Sequence, residues 1–146
     1  MLGRASLIQS VDSEHLLAAI EKEAAKAGIV QDVLLEVNIG GEAAKSGVDP
    51  AALPQLLETA AGCAHIRVRG LMAIPPADAD DTETRRFFAQ MRELLARADA
   101  RHYDRAQMDI LSMGMSHDYA AAIAEGATIV RVGTAIYGAR DYSKKA

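Results

Sequence analysis

Short runs of aliphatic and β-branched residues alternate along the chain with segments whose apolar positions recur every three or four residues, the rhythm of repeated strand–helix units. The first run, Ser6 to Val11, leads into Asp12 and Ser13, both good helix N-caps. The segment after them carries Leu16, Leu17, Ile20 and Ala24 on one face and closes at Gly28. Val33 to Ile39 predicts the second strand, and a Gly-rich turn follows it. Asp49 to Ala61 then reads as a helix stopped by Gly62. Pro54 leaves two starts open for that helix: an irregular first turn from Asp49, or a start at Pro54 itself, where the missing N–H is not needed. Ile66 to Ile74 predicts the third strand. The acidic stretch Asp78 to Glu83 suits the N-terminus of a long helix striped by Phe87, Phe88, Met91, Leu94 and Leu95. Met108 to Leu111 predicts a fourth strand, Ser116 caps a short helix ending at Gly126, Thr128 to Val132 predicts a fifth strand, and TAIYG from Thr134 forms a last short turn. These apolar runs are nearly continuous, as expected of parallel strands covered on both faces.

Such units suit an open doubly wound sheet or part of a (β/α)8 barrel, which typically needs about 250 residues. The length of 146 residues favours the open sheet. However, no glycine fingerprint follows the first strand, and the conspicuous small-residue turns follow the last two strands, which is where barrels place their phosphate sites. The expectation is therefore an α/β chain, one domain over residues 1–146, forming part of a (β/α)8 barrel. Half the residues are hydrophobic, enough for a real core, and a net charge of −4 with interleaved acids and bases gives no electrostatic reason to expect nucleic acid or an anionic membrane. No apolar run reaches the roughly 18 residues of a membrane span, and the first residues carry no signal-peptide pattern, so a cytoplasmic location is expected. Cys63 is alone and reads as a small buried hydrophobe, and no Cys/His grouping has metal-ligand spacing.

The candidate chemistry lies between Leu111 and Gly138. A charged side chain inside ATIVRVG needs a partner, so Arg131 is either ion-paired with a neighbouring carboxylate such as Glu36 or sits at a pocket mouth, donating to an anion or a ring nitrogen. Gly133 lets a ligand approach the backbone, and Thr134 is placed to cap the turn after it. Ser112, Gly114 and Ser116 offer hydroxyls and bare backbone on the preceding strand, so two adjacent turns have the parts to share one phosphate. Each of these residues also has an ordinary reading in turns and caps. His117 and Asp118 read as exposed helix-start residues, Lys45 as a surface lysine or a neighbour of the pocket mouth, and Tyr137 and Tyr142 as packing residues.

In order and spacing, IQSVDS at 8–13, EVNIGGEAAKSGV at 36–48, VRGLMAIPP at 68–76, LSMGMSHD at 111–118 and VRVGTAIYGARDY at 130–142 resemble the pyridoxal phosphate homeostasis proteins, whose fold is like the N-terminal barrel of alanine racemase. The resemblance runs from about Leu7 to Tyr142. It implies a barrel that binds pyridoxal 5′-phosphate at the C-terminal ends of its strands. Ser112, Gly114, Ser116, Gly133 and Thr134 match the phosphate-binding turns, Arg131 matches the arginine facing the pyridine nitrogen, and Asn38 and Met72 match pocket walls. It implies a carrier or regulator of the cofactor rather than an established catalyst, with a racemase-like enzyme of the same fold as the alternative. The first three βα units of the family's barrel have no counterpart here, nor does the Schiff-base lysine of its first strand. The lysines present are Lys22, Lys26, Lys45, Lys144 and Lys145, none in a predicted strand. The chain is accordingly expected to be the C-terminal portion of such a barrel, holding the cofactor non-covalently, self-associating, or pairing with a separate N-terminal half.

Overall fold

In a computed structural model that describes residues 5–138, five parallel strands form one sheet in the order of the sequence. The strands are β1 (Leu7–Val11), β2 (Gln31–Glu36), β3 (Ile66–Met72), β4 (Ala106–Met115) and β5 (Ile129–Arg131). The helices are α1 (Glu14–Ala27), α2 (Leu53–Ala61), α3 (Asp81–Asp99), α4 (Tyr119–Ala124) and α5 (Thr134–Tyr137). Because every crossover advances one strand in the same direction and such crossovers are right-handed, the helices stack on one face of the sheet. A doubly wound sheet reverses its strand order and has helices on both faces. This sheet is a half-barrel, convex towards its helices, and the expected helical cover on both faces is not observed.

Local sequence explains where the helices begin. Ser13 caps α1, its hydroxyl accepting from the Leu16 amide at 3.3 Å. Asp80 and Glu83 form a reciprocal capping box at the start of α3, which contributes about 0.5–2 kcal/mol. The two starts left open for α2 resolve at Leu53, with Pro54 in the first turn, where no backbone donor is lost. One hydrophobic cluster joins the helices to the sheet: Leu17 and Ile20 from α1, Leu56 and Leu57 from α2, Phe88 and Met91 from α3, and alternate strand residues such as Val33, Leu35, Val68 and Leu111.

The concave face is built differently. Asp32, Leu34 and Glu36 alternate with the core residues Val33, Leu35 and Val37, so they point away from the helices. At the N-terminal end of this face Arg67 donates to both Asp32 oxygens at 2.7 and 3.0 Å, and Arg69 bridges Asp32 at 3.1 Å and Asp109 at 2.6 Å. The hydrogen bond from Arg69 holds the Asp109 carboxyl below its usual range. Two acids and two bases thus neutralise one another where a complete barrel would have its interior. Along α1 and β1 lies an open groove of about 690 Å³ with Ile8, Leu16, Ala19 and Ile20 in its wall. No helix among the described residues is long and apolar enough to cross a membrane.

Strand limits differ from the sequence reading mainly at β4, which runs from Ala106 to Met115 rather than Met108 to Leu111 and so takes Ser112 and Gly114 into the strand. The cause is a bulge. Val33 pairs with Val68 and Leu34 with Gly70, which leaves Arg69 as an extra residue, and β4 shifts register opposite the same place. Gly70 has φ +147°, and a Cβ there would collide with the Ile110 carbonyl. We therefore expect Gly70→Ala to lower unfolding free energy by at least about 3 kcal/mol, whereas Gly41→Ala, also at positive φ but with open space around it, costs about 1–2 kcal/mol. Urea unfolding of the two variants checks the difference.

Candidate functional site

Parallel strands in register bring Glu36, Met72 and Ser112 into one row across β2, β3 and β4, near the C-terminal ends of the strands. Arg131, the last residue of β5, reaches into this row. One guanidinium nitrogen donates to Ser112 Oγ at 2.6 Å and the other to the Ala73 carbonyl at 3.0 Å. Ser112, fully buried, passes the chain on by donating to Gln9 Oε1 on β1 at 2.7 Å. Polar residues of β1, β4 and β5 are thereby tied together across the concave face.

Of the two readings open for Arg131, the ion pair with Glu36 does not form: no Glu36 oxygen lies within 4.0 Å of an Arg131 nitrogen. The guanidinium is held by neutral acceptors, which use two nitrogens and leave further N–H donors of its five unassigned. Burial lowers the Arg131 pKa from its ordinary value, and the charges of Glu36 and Asp118 oppose that shift. Glu36 itself is 9% exposed, and its carboxylate accepts no hydrogen bond from any described residue. Burial and then the negative charge of Asp12 push its carboxyl above the usual carboxylate range, against the pull of Arg131.

The second element of the site joins the two turns. Ser116 Oγ accepts from the backbone amides of Gly133 at 3.2 Å and Ala135 at 3.1 Å, so these N–H groups converge on one oxygen. This corrects the expected role of Ser116: α4 begins at Tyr119, with Asp118 before it accepting from the Met115 amide at 2.6 Å, and the serine hydroxyl turns to the neighbouring loop instead. Gly133, not Thr134, occupies the N-cap position of α5, and Thr134 is exposed without a capping bond. Nothing lies within 4 Å of where a Gly133 Cβ would be, so the chain is open on that side of the turn. Gly114 has a structural reason of its own: a Cβ there would collide with the Ala122 methyl, so its absence lets α4 lie close to β4.

Asn38 is partly buried and folds over its own turn, donating to the Glu42 carbonyl at 2.8 Å and accepting from the Glu42 amide at 3.1 Å. Met72 is buried in the row between Glu36 and Ser112. A cleft of about 230 Å³ opens beside Arg131, and its walls include Gly114, His117, Asp118 and Lys45. Lys45 thus borders the cleft, with Glu42 as its ion-pair partner at 2.6 Å. Tyr137, read as a packing residue, instead stands 87% exposed on α5, because no described element covers that helix; Tyr142 lies outside the described residues. Gln9 was not singled out by the sequence reading, although a lone amide inside LIQSV on a parallel strand is the signal that marks it.

A family model described as alanine racemase, N-terminal domain, matches residues 2–141. The chain belongs to this family. It is 45% identical over 142 residues to a pyridoxal phosphate homeostasis protein of Aquifex aeolicus, covering 97% of this chain and 61% of the relative. Among solved structures, a protein of unknown function from Bifidobacterium adolescentis superposes with a TM-score of 0.89 at 41% identity, covering 94% of this chain and 55% of that one. PipY of Synechococcus elongatus, solved with PLP bound, gives 0.78 at 36% identity, covering 91% of this chain and 61% of PipY. The chain therefore spans between 55% and 61% of the length of these three family relatives.

The raised Glu36 pKa in this family member has a definite consequence for stability. The folded state holds the Glu36 proton more tightly than the unfolded state, so the cost of ionising it is absent below the unfolded value of about 4.3 and complete above the folded value. Glu36→Gln is expected to be more stable than the parent at pH 7–8, with the gain vanishing below about pH 4. Urea unfolding at both pH values checks this, and a gain independent of pH contradicts it.

Proposed function

We propose that the chain is the C-terminal portion of a pyridoxal 5′-phosphate-binding barrel that serves intracellular homeostasis of the cofactor and binds it without covalent attachment. The observation that carries this reading is the arrangement around Arg131: a partly buried guanidinium held by neutral groups, with donors to spare, beside a turn whose Gly133 and Ala135 amides converge on the Ser116 hydroxyl. A phosphate oxygen can take the acceptor position that Ser116 Oγ fills, with Thr134 at the rim and Ser112 orienting the arginine. Arg131 would face the pyridine nitrogen, and Met72 and Asn38 would form the walls. Relatives titled as pyridoxal phosphate homeostasis proteins, and PipY with PLP bound, support this choice of ligand.

When bound, the cofactor supplies an aromatic aldehyde whose power as an electron sink depends on a protonated ring nitrogen. A permanent guanidinium at that nitrogen opposes its protonation, so this chain's own residues favour holding the cofactor over turning substrates over. The three lysines among the described residues are Lys22 and Lys26 on α1 and Lys45 in the β2–α2 loop, none of them on a strand. The non-covalent reading rests on that placement.

Titration with pyridoxal 5′-phosphate, followed by absorbance, is expected to show saturable binding that Arg131→Ala weakens at least tenfold, roughly the loss of one charge-assisted contact. Borohydride treatment of the complex followed by mass spectrometry is expected to leave the chain mass unchanged. A lysine peptide carrying the reduced cofactor contradicts the non-covalent part, and equal affinity in the arginine variant contradicts the site.

A further inference from the structure

The contacts of Arg131 do not end at Ser112. A guanidinium only donates, so Ser112 Oγ, 2.6 Å from an Arg131 nitrogen, is the acceptor in that bond. The serine proton must point elsewhere, and at a fully buried hydroxyl it needs an acceptor within the protein. Gln9 supplies one, its side-chain oxygen lying 2.7 Å from Ser112 Oγ. Ile8 and Ser10 line the groove on the helical side of β1, so Gln9 between them points to the concave face, and the bend of the half-barrel brings it to β4. Without that acceptor the hydroxyl is free to rotate. One of its positions turns the proton towards the guanidinium, where two donors oppose each other and the arginine keeps only the Ala73 carbonyl.

We propose that Gln9 is a positioning residue of the Arg131 site: by taking the Ser112 proton it keeps a serine lone pair turned to the guanidinium, and so fixes the direction in which the arginine presents its remaining N–H groups to the bound cofactor. The ligand part of this inference rests on the function proposed above. Gln9 acts through two hydrogen bonds in series, from Arg131 to Ser112 and from Ser112 to Gln9. A carboxamide suits this task. Its neutral carbonyl accepts the proton without setting a negative charge against the arginine, whereas an aliphatic side chain leaves a buried donor unsatisfied. Packing does not explain the choice of residue, since β1 is an edge strand and the rest of LIQSV is aliphatic or small.

Two measurements test this on the parent chain, Gln9→Leu, Arg131→Met and the double variant. The first is titration with pyridoxal 5′-phosphate. Gln9→Leu is expected to bind about three- to tenfold more weakly than the parent, the size of one neutral hydrogen bond, and to change affinity by less than about twofold where Arg131 is already Met. A merely structural glutamine would weaken both backgrounds equally. The second is nitrogen-15 NMR of the unliganded chain, with the Arg131 side-chain N–H signals identified by their loss in Arg131→Met. Those signals are expected to exchange with solvent faster in Gln9→Leu than in the parent, by a similar factor. Gln9→Met, of nearly the same shape as glutamine, carries the same expectations and stands in if Gln9→Leu does not fold. Equal exchange in parent and variant, or an equal loss of affinity in both backgrounds, overturns the role of Gln9 while leaving the cofactor site standing. If the parent chain binds no cofactor, the proposed function fails, and the exchange comparison alone decides whether Gln9 positions the arginine.

Discussion

A guanidinium inside a parallel sheet sets the terms for everything around it. Arg131 terminates β5 partly buried, where an unpaired charge is unfavourable, and the fold meets that demand with a hydroxyl from β4 and a main-chain carbonyl just beyond β3. Neutral acceptors stabilise the charge without cancelling it. The carboxylates of Glu36 and Asp118 act on that charge without pairing with it directly. The same chain of contacts fixes Ser112 and, through it, Gln9, so three strands are held in one polar row.

The half-barrel makes this arrangement consequential. With helices on the convex face alone, the concave face must be compatible with water wherever no further element covers it, and the Asp32, Arg67, Arg69 and Asp109 lattice does that at the N-terminal end by mutual neutralisation. Partly exposed pairs of this kind contribute little individually, about 0–1 kcal/mol. Their effect is on where charge is left over. The lower end of the face is balanced, while the upper end holds Arg131 and Glu36 without a direct ionic partner, so unpaired charge is concentrated at the C-terminal ends of the strands. This matches the general location of ligand sites in α/β folds.

Much of this was legible in the sequence, for physical reasons that also explain the failures. Periodicity and caps located α1 and α3 because Ser13 and the Asp80–Glu83 box are local signals, read within a few residues. The end of β4 was not local. Its core residues Met108, Leu111 and Met113 are spaced by three and then two, because the bulge at Arg69 shifts the register, and the apolar run that marked the strand breaks at Ser112. Likewise, serine before a helix reads as a cap, yet Ser116 serves a loop seventeen residues later, which only the adjacency of β4 and β5 brings near. The chemistry of Arg131 was visible as a charge in an apolar run, but its partners were not, since a backbone carbonyl leaves no mark in a sequence. Glu36 was noticed only as the partner it turns out not to be.

A double-mutant cycle between Arg131 and Ser112 tests the central claim most directly. Unfolding free energies of the parent, Arg131→Met, Ser112→Ala and the double variant yield the coupling between guanidinium and hydroxyl. A coupling of about 1.5–3 kcal/mol is predicted for this partly buried hydrogen bond to a charged group. Additivity within about 0.3 kcal/mol would mean that the arginine is not held by this hydroxyl, and the account of the site would be wrong.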